Sequence, residues 1–124
     1  MPELRRGKSF QDLCRDAKAR INEISVDDLK DWLAAQKGPD GSPLNVIDVR
    51  ETEEFSRGAV PTARHISRGV LELHIDEVVP DQSQTVVLYC GGGNRSALAA
   101  DTLQQMGYDK VYSVIGGYRA WHES

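Results

Sequence analysis

The feature that most constrains the fold is a short β-branched run that leads directly into a glycine loop and a helix. Residues 85–89 read Thr-Val-Val-Leu-Tyr, an uninterrupted apolar run with the length and composition of a buried strand. Three glycines follow at 91–93, and a helical pattern then extends from Arg95 to about Met106. Gly107 comes next, where a helix C-terminus favours glycine. A buried strand followed at once by a helix is typical of α/β proteins.

Further strand and helix signals alternate along the chain. Ser9 is placed to cap a first helix, and Ser25 with Asp28 forms a shortened capping box before a second one. The apolar face of the first helix consists of Phe10, Leu13, Cys14, Ala17 and Ile21. The remaining predicted elements are strands at 45–49 and 111–115 and helices at 26–36, 51–56 and 118–122. This order predicts an α/β layer fold with a mostly parallel sheet.

Composition and charge narrow the class of protein. The chain has 124 residues, 40% of them hydrophobic and 27% charged, which predicts one globular domain. A net charge of −4 argues against nucleic acid or an anionic membrane as the main partner. No apolar run reaches the length of a membrane span, and no secretory signal is visible. With two cysteines and no ligand spacing among the three histidines, we expect a cytoplasmic protein without a metal site.

The loop after the clearest strand carries the chemistry. Residues 90–96 read Cys-Gly-Gly-Gly-Asn-Arg-Ser. Successive backbone N–H groups in such a glycine loop can point inward as an anion-binding nest, and the following helix N-terminus adds partial positive charge. Arg95 contributes a full positive charge. We therefore expect the pKa of Cys90 to be lowered enough for a thiolate at neutral pH, which would be a nucleophile for anionic substrates.

Three segments together carry a resemblance to a known family. The strand, Cys90, four intervening residues, Arg95 and the helix resemble the active-site loop of the rhodanese family of sulfurtransferases. Asp-Val-Arg at 48–50 followed by Glu-Phe at 54–55 is similar to the family's Asp-x-Arg-x-x-x-Glu-Phe/Tyr segment. Gly-Gly-Tyr-Arg-Ala-Trp at 116–121 is similar to its closing Gly-Gly-x-x-x-Trp segment.

The resemblance runs from about Ile24 to Trp121, and one segment departs from it. Residues 58–63 read Gly-Ala-Val-Pro-Thr-Ala where the family often has Gly-His-Ile-x-Gly-Ala. The histidine is replaced by Ala59 and the second glycine by Thr62. The domain organisation expected from the match is a helical extension at residues 1–22, packed on a rhodanese domain at residues 23–124.

The resemblance implies a three-layer fold and a reaction. The fold would have a mostly parallel central sheet flanked by helices. The reaction would be that of a thiosulfate sulfurtransferase, in which Cys90 takes a sulfane sulfur from thiosulfate or a persulfide donor and holds it as a persulfide. A thiol, cyanide or a protein sulfur acceptor would then remove it. The substrate-binding residues would be Gly91, Gly92, Gly93, Asn94, Arg95 and Ser96. No metal and no organic cofactor are implied.

Several alternatives remain open at this point. A persulfide carrier for a partner enzyme would use the same cysteine. Cysteine-dependent phosphatases and arsenate reductases also combine a cysteine, an anion-binding loop and an arginine, but with five residues between cysteine and arginine instead of four. Arg95 could bind donor oxygens or brace the loop through a carboxylate. Asp48, Arg50 and Glu54 are interpreted as a structural ion-pair set, and Cys14 as a packing residue.

Overall fold

The apolar runs at 45–49, 85–89 and 111–115 form neighbouring strands of a parallel sheet. The computed structural model describes residues 7–124. Its strands are β1 (Asn22–Ile24), β2 (Leu44–Asp48), β3 (Arg64–His65), β4 (Thr85–Tyr89) and β5 (Val111–Val114). Within the described residues the sheet has five strands, all parallel, in the order β1-β5-β4-β2-β3. Strand β4 is central and every residue of it is buried, as its continuous apolar run predicts.

Helices cover both faces of this sheet. They are α1 (Phe10–Arg20), α2 (Val26–Ala35), α3 (Thr52–Ser56), α4 (Leu71–Val78), α5 (Asn94–Met106) and α6 (Gly117–Glu123), with a 3-10 turn at Arg68–Val70. One apolar cluster joins the sheet to α4 and α5, and a second joins the opposite face to α2 and α6. The predicted three-layer α/β fold is therefore confirmed. None of the helices described here is long and apolar enough to cross a membrane.

Helix α1 lies against α5 and runs in the same direction. Cys14 lies beside Asn94 at the start of α5. Further along both helices, Nε and Nη2 of Arg20 donate to the two carboxylate oxygens of Asp101 at 3.0 and 2.7 Å. Cys14 and Ala17 are buried in this contact. The expected boundary between an extension at 1–22 and a domain at 23–124 stays a prediction, and β1 joins the sheet from Asn22 onward.

The apolar face of α1 is narrower than the sequence predicts. Phe10 and Leu13 are 49% and 47% exposed, although the helical spacing places both on the face that carries Cys14. The physical reason is the register between the two helices. Because α5 begins beside Cys14, the first turn of α1 extends past the start of α5 and has no part of that helix beneath it.

Three elements lie where the sequence analysis places none: β1, β3 and α4. The two strands have three and two residues, too few for a period to be seen, and both are at the edges of the sheet. Helix α4 begins at Leu71 without a side-chain hydrogen bond from its N-cap Val70, so the usual start signal is missing. Tertiary packing on the sheet, which buries Leu71 and Ile75, stabilises this helix instead.

The turn that departs from the family pattern adopts the conformation that the family's glycine favours. Thr62 has a φ of 67°, in the left-handed region. A β-branched residue there carries backbone strain, because its Cβ approaches the neighbouring carbonyl oxygen. The chain accepts this strain in a turn whose residue Ala63 donates a backbone hydrogen bond to Val60 at 3.1 Å.

We predict that Thr62→Gly stabilises the protein. Relief of the left-handed strain should exceed the additional flexibility of glycine in the unfolded chain, with a net gain of about 1 kcal/mol in the free energy of unfolding. Thr62→Ala keeps a Cβ at the same φ and serves as the control, with a smaller gain. Chemical denaturation of the three proteins measures the difference. A Thr62→Gly variant no more stable than Thr62→Ala would contradict the strain argument.

Candidate active site

The loop at 90–93 lies at the carboxyl end of β4 and leads into α5. Of its three glycines only Gly93 has a positive φ, 102°, and it is the N-cap of α5. A Cβ on Gly93 would lie 3.3 Å from the backbone nitrogen of Gly116 and 3.4 Å from the carbonyl oxygen of Val114. The positive φ, together with the close approach of the turn between β5 and α6, therefore favours glycine at this point. By contrast, a Cβ on Gly92 would meet nothing within 4 Å, so the loop is open there.

Hydrogen-bond donors converge on the sulfur of Cys90. The backbone N–H of Gly93 donates to Sγ at 3.1 Å, and the Ser96 hydroxyl lies 3.5 Å from it. Cys90 is only 1% exposed, and this burial raises the pKa of the thiol. The Ser96 hydroxyl and the N–H groups of Ser96, Gly93 and Gly92 outweigh burial and lower the pKa below its usual value. This direction agrees with the expectation from the loop sequence.

The start of α6 fixes the direction of the loop's peptide groups. The backbone N–H of Tyr118 donates to the carbonyl oxygen of Cys90 at 2.8 Å, and that of Arg119 donates to the carbonyl oxygen of Gly91 at 3.1 Å. The approach is so close that a Cβ on Gly117 would lie 2.3 Å from the Cys90 carbonyl oxygen. The Gly-Gly segment at 116–117 thus allows α6 to bind the carbonyl groups of the loop, and the N–H group of Gly93 in the loop then faces the sulfur.

Arg95 is paired with Glu54 across the loop. Its two terminal guanidinium nitrogens donate to the two carboxylate oxygens at 2.9 and 3.1 Å. This pairing and the backbone N–H of Glu51 outweigh burial and lower the pKa of Glu54 to about 2. The guanidinium lies against the loop, since a Cβ on Gly91 would be 3.1 Å from it. Between the two roles left open for Arg95, the geometry favours bracing of the loop.

Asn94 contacts α1 through both its side chain and its backbone. The Lys18 ammonium donates to the side-chain oxygen of Asn94 at 3.0 Å, and the Cys14 thiol lies 4.0 Å from the Asn94 carbonyl oxygen. Cys14 is 2% exposed, and burial raises the pKa of its thiol. The structure thus gives Cys14 the packing position expected from its helix face.

The carboxylates and arginines around the site form two separate pairs. Asp48 and Arg50 are buried together, with Nη2 of Arg50 2.7 Å from the carboxylate and equally close to the carbonyl oxygen of Gly58. The Arg50 guanidinium also packs on the ring of Tyr118, 4.2 Å from its centre. This pair joins the end of β2 to α6, whereas Glu54 binds Arg95, so the expected ion-pair set is divided.

A further residue near the site, which contacts Ser96, was not predicted from the sequence. Ser113 of β5 is fully buried, and its hydroxyl oxygen lies 2.8 Å from that of Ser96. The sequence carries a weak signal for this residue, because Ser113 is a small polar residue in the otherwise largely apolar strand Val-Tyr-Ser-Val, which packs on both faces. Which group the hydroxyl of such a serine contacts depends on the tertiary structure.

Comparisons with known proteins show the family of this chain. The family model for the rhodanese-like domain matches residues 25–124. A similar curated protein is YrkF of Bacillus subtilis, provisionally named a sulfur carrier protein, which is 35% identical over 101 residues. That alignment covers 82% of this chain and 51% of YrkF, so the chain spans about half the length of this relative.

Two solved structures illustrate the similarity of fold. A Rhodopseudomonas palustris protein of unknown function, described as a possible tyrosine phosphatase, is 29% identical with a TM-score of 0.85, over 99% of this chain and 95% of that one. A rhodanese-related protein from Thermoplasma volcanium is 27% identical with a TM-score of 0.69, over 82% of this chain and 91% of that one. The first of these alignments also includes α1.

We predict that the two cysteines differ in reactivity. The pKa of Cys90 is lowered and that of Cys14 is raised, and each unit of difference changes the thiolate fraction about tenfold. Limiting iodoacetamide at pH 7 should therefore modify Cys90 faster than Cys14, as measured by mass spectrometry of peptides. The urea-unfolded protein is the control, in which the two cysteines should react at similar rates. Equal rates for Cys90 and Cys14 in the native protein would contradict the assignment of the two environments.

We also predict that the Glu54–Arg95 pair makes stability depend on acid pH. A pKa lowered from 4.5 to about 2 in the folded state means stabilisation that is present above pH 4.5 and lost as pH falls towards 2. Since about a third of each side chain is exposed, we expect the pair to contribute about 1–2 kcal/mol to the free energy of unfolding. Glu54→Gln should lack this part of the pH profile of unfolding, and Glu53→Gln is the control on the same helix. Parallel profiles for wild type and Glu54→Gln would contradict it.

Proposed function

Because the chain belongs to the rhodanese-like domain family, we propose that it is a sulfurtransferase that carries sulfur on Cys90 as a persulfide. The observation that carries the proposal is the convergence of the Gly93 N–H and the Ser96 hydroxyl on the Cys90 sulfur. Their effect on the pKa favours the thiolate, which is the nucleophilic form. The cytoplasm, where thiols stay reduced, is the compartment we propose for this chemistry.

In the first half-reaction the Cys90 thiolate attacks the sulfane sulfur of the donor. With thiosulfate, a new S–S bond forms to Cys90 while the bond to the sulfonate sulfur breaks, and sulfite leaves with that electron pair. The product is an anionic persulfide. The N–H groups of the loop, from Gly91 to Ser96, would stabilise its outer sulfur by the same hydrogen bonding that favours the thiolate.

In the second half-reaction an acceptor attacks the outer sulfur. Cyanide would take it as thiocyanate, and a thiolate would take it as a new persulfide. The electron pair of the S–S bond returns to Cys90, which regenerates the thiolate. Because the hydrogen bonds to the sulfur lower the pKa of Cys90, we assign no general base to the reaction. Two substrates that react in turn with one nucleophile predict ping-pong kinetics.

A carrier of persulfide sulfur is the second candidate. The provisional naming of YrkF as a sulfur carrier supports it, and so does the open side of the loop at Gly92. Gly92 is exposed and has no side chain, so it would not obstruct a partner protein at this point of the loop. A carrier and an enzyme share the first half-reaction. They differ in turnover, because a carrier would load once from free donors and unload slowly without its partner.

A phosphatase is the third reading, prompted by the description of the Rhodopseudomonas palustris protein. The geometry favours it less. Four residues separate Cys90 from Arg95, one fewer than in the phosphatase loop. Both terminal nitrogens of Arg95 are engaged by Glu54, whereas a phosphoryl group would need the guanidinium for its own oxygens. Measurable hydrolysis of an aryl phosphate that disappears in Cys90→Ser would favour this reading.

We predict that thiosulfate adds one sulfur atom to the protein and that cyanide removes it. Intact mass measured before thiosulfate, after it, and after cyanide tests both half-reactions. Cys90→Ser should show no gain, because a serine hydroxyl is hardly ionised at neutral pH and cannot form a persulfide. Cys14→Ser is the matched control, since Cys14 is buried between α1 and α5 and makes no hydrogen bond to the Cys90 sulfur in the described structure, and it should gain sulfur as the wild type does.

Steady-state kinetics then separates the two leading candidates. Sustained production of thiocyanate from thiosulfate and cyanide, with ping-pong dependence on both, supports the enzyme. Loading of one sulfur without sustained turnover supports the carrier. A sulfur gain that survives in Cys90→Ser, or no gain with thiosulfate or with a persulfide donor, would contradict the persulfide mechanism.

A further inference from the structure

Ser113 lies behind the reactive sulfur, two hydrogen-bonding steps from it. We propose that Ser113 is a positioning residue: its hydroxyl donates to the Ser96 oxygen and thereby commits the Ser96 proton to the sulfur of Cys90. The inference deepens the proposed sulfur transfer and rests on Cys90 as the nucleophile. It concerns a residue on β5, outside the three segments that carry the family resemblance.

The three groups form one buried chain. The Ser113 and Ser96 oxygens are 2.8 Å apart, and the Ser96 oxygen is 3.5 Å from the Cys90 sulfur. Both serines are fully buried and Cys90 is 1% exposed. Ser113 pairs in register with Leu88 of β4, which precedes Cys90 by two residues. The serine therefore lies at the same end of the sheet as the cysteine.

The position of Ser113 is one where an apolar residue would be expected. Its neighbour two residues earlier on the same face, Val111, belongs to the apolar cluster that includes Cys90 and α5. A buried hydroxyl among such groups costs stability unless it is hydrogen-bonded. The Ser96 oxygen is the side-chain partner that the described structure gives it. The sequence thus places a second hydroxyl within hydrogen-bond distance of the first.

The direction of the hydrogen bonds follows from the ionisation of the sulfur. A thiolate has no proton, so the Ser96 hydroxyl must donate to it. The Ser96 oxygen is then available as an acceptor, and the Ser113 hydroxyl can donate to it. In the thiol form the sulfur can donate to Ser96 instead, so the order of the chain reverses. A hydrogen bond to an ionised acceptor is stronger than one between neutral groups, and a donor behind Ser96 strengthens it further, so the chain favours the thiolate.

Removing the Ser113 hydroxyl should therefore raise the pKa of Cys90 while the loop N–H groups remain in place. A neutral hydrogen bond one step from the charge predicts an upward shift of about 0.5–1 unit. Below the pKa, the thiolate fraction would fall about threefold to tenfold. The intrinsic reactivity of the thiolate would not change, so the loss should disappear at high pH.

The experiment compares Ser113→Ala with a matched variant at the other end of the sheet. Thr85, at the start of β4, is equally buried, and its hydroxyl pairs with that of Ser42 at 2.5 Å. Thr85→Val removes one member of that hydroxyl pair without changing the volume, and it lies at the opposite end of the strand from Cys90. The rate of alkylation of Cys90 by iodoacetamide is measured from about pH 5 to 10, with peptide mass spectrometry to separate Cys90 from Cys14.

We expect the midpoint of the Ser113→Ala profile to rise by about 0.5–1 unit with an unchanged rate at high pH. Thr85→Val should lose stability and keep the wild-type midpoint. Ser113→Thr, which keeps the hydroxyl, should also have the wild-type midpoint. If Ser113→Ala does not fold, Ser113→Val, which suits a buried strand, gives the same readout. An unshifted midpoint, or an equal shift in Thr85→Val, overturns the proposal. Alkylation needs no sulfur donor, so failure of this inference is distinguishable from failure of sulfur transfer.

Discussion

Two carbonyl groups of the loop at 90–93 accept hydrogen bonds from the start of α6, and this contact orients the site. With the carbonyl oxygens of Cys90 and Gly91 bound by the N–H groups of Tyr118 and Arg119, the next N–H groups along the loop face the sulfur. The contact requires a glycine at 117, where a Cβ would overlap the Cys90 carbonyl oxygen. The conformation of the loop at 90–93 therefore depends on two segments of the sequence, the loop itself and the start of α6.

The charged residues around the loop support the site mainly by pairing with one another. Arg95 is bound to Glu54, and the buried Asp48–Arg50 pair connects β2 to α6 through the Tyr118 ring. A buried pair of this kind contributes specificity of arrangement more than net stability. The downward shift in the pKa of Cys90 accordingly depends on hydrogen bonds from neutral donors, which are short-range and require a fixed position of the sulfur.

Much of the fold could be predicted because its central elements have strong local signals. The β4 run, the capping boxes at Ser9 and Ser25 and the glycine after α5 all have the predicted roles in the structure. The elements that could not be predicted depend on their neighbours. Strand β3 has two residues paired to β2, and α4 lacks a side-chain cap. The exposure of Phe10 and Leu13 follows from the register of α1 against α5. The periodicity of the sequence predicts a helix face but not the register of that helix against its neighbour.

The sequence by itself determined that a thiol follows a buried strand, that glycines and a helix N-terminus surround it, and that an arginine lies within the same turn. These features are local, because backbone conformation over a few residues is set by side-chain sterics and capping. Only the tertiary structure decided that Arg95 faces Glu54, that α6 binds the loop carbonyls, and that Ser113 lies behind Ser96. Hydrogen bonds reach about 3 Å, so their partners are known only once the sheet has fixed the spacing of its strands.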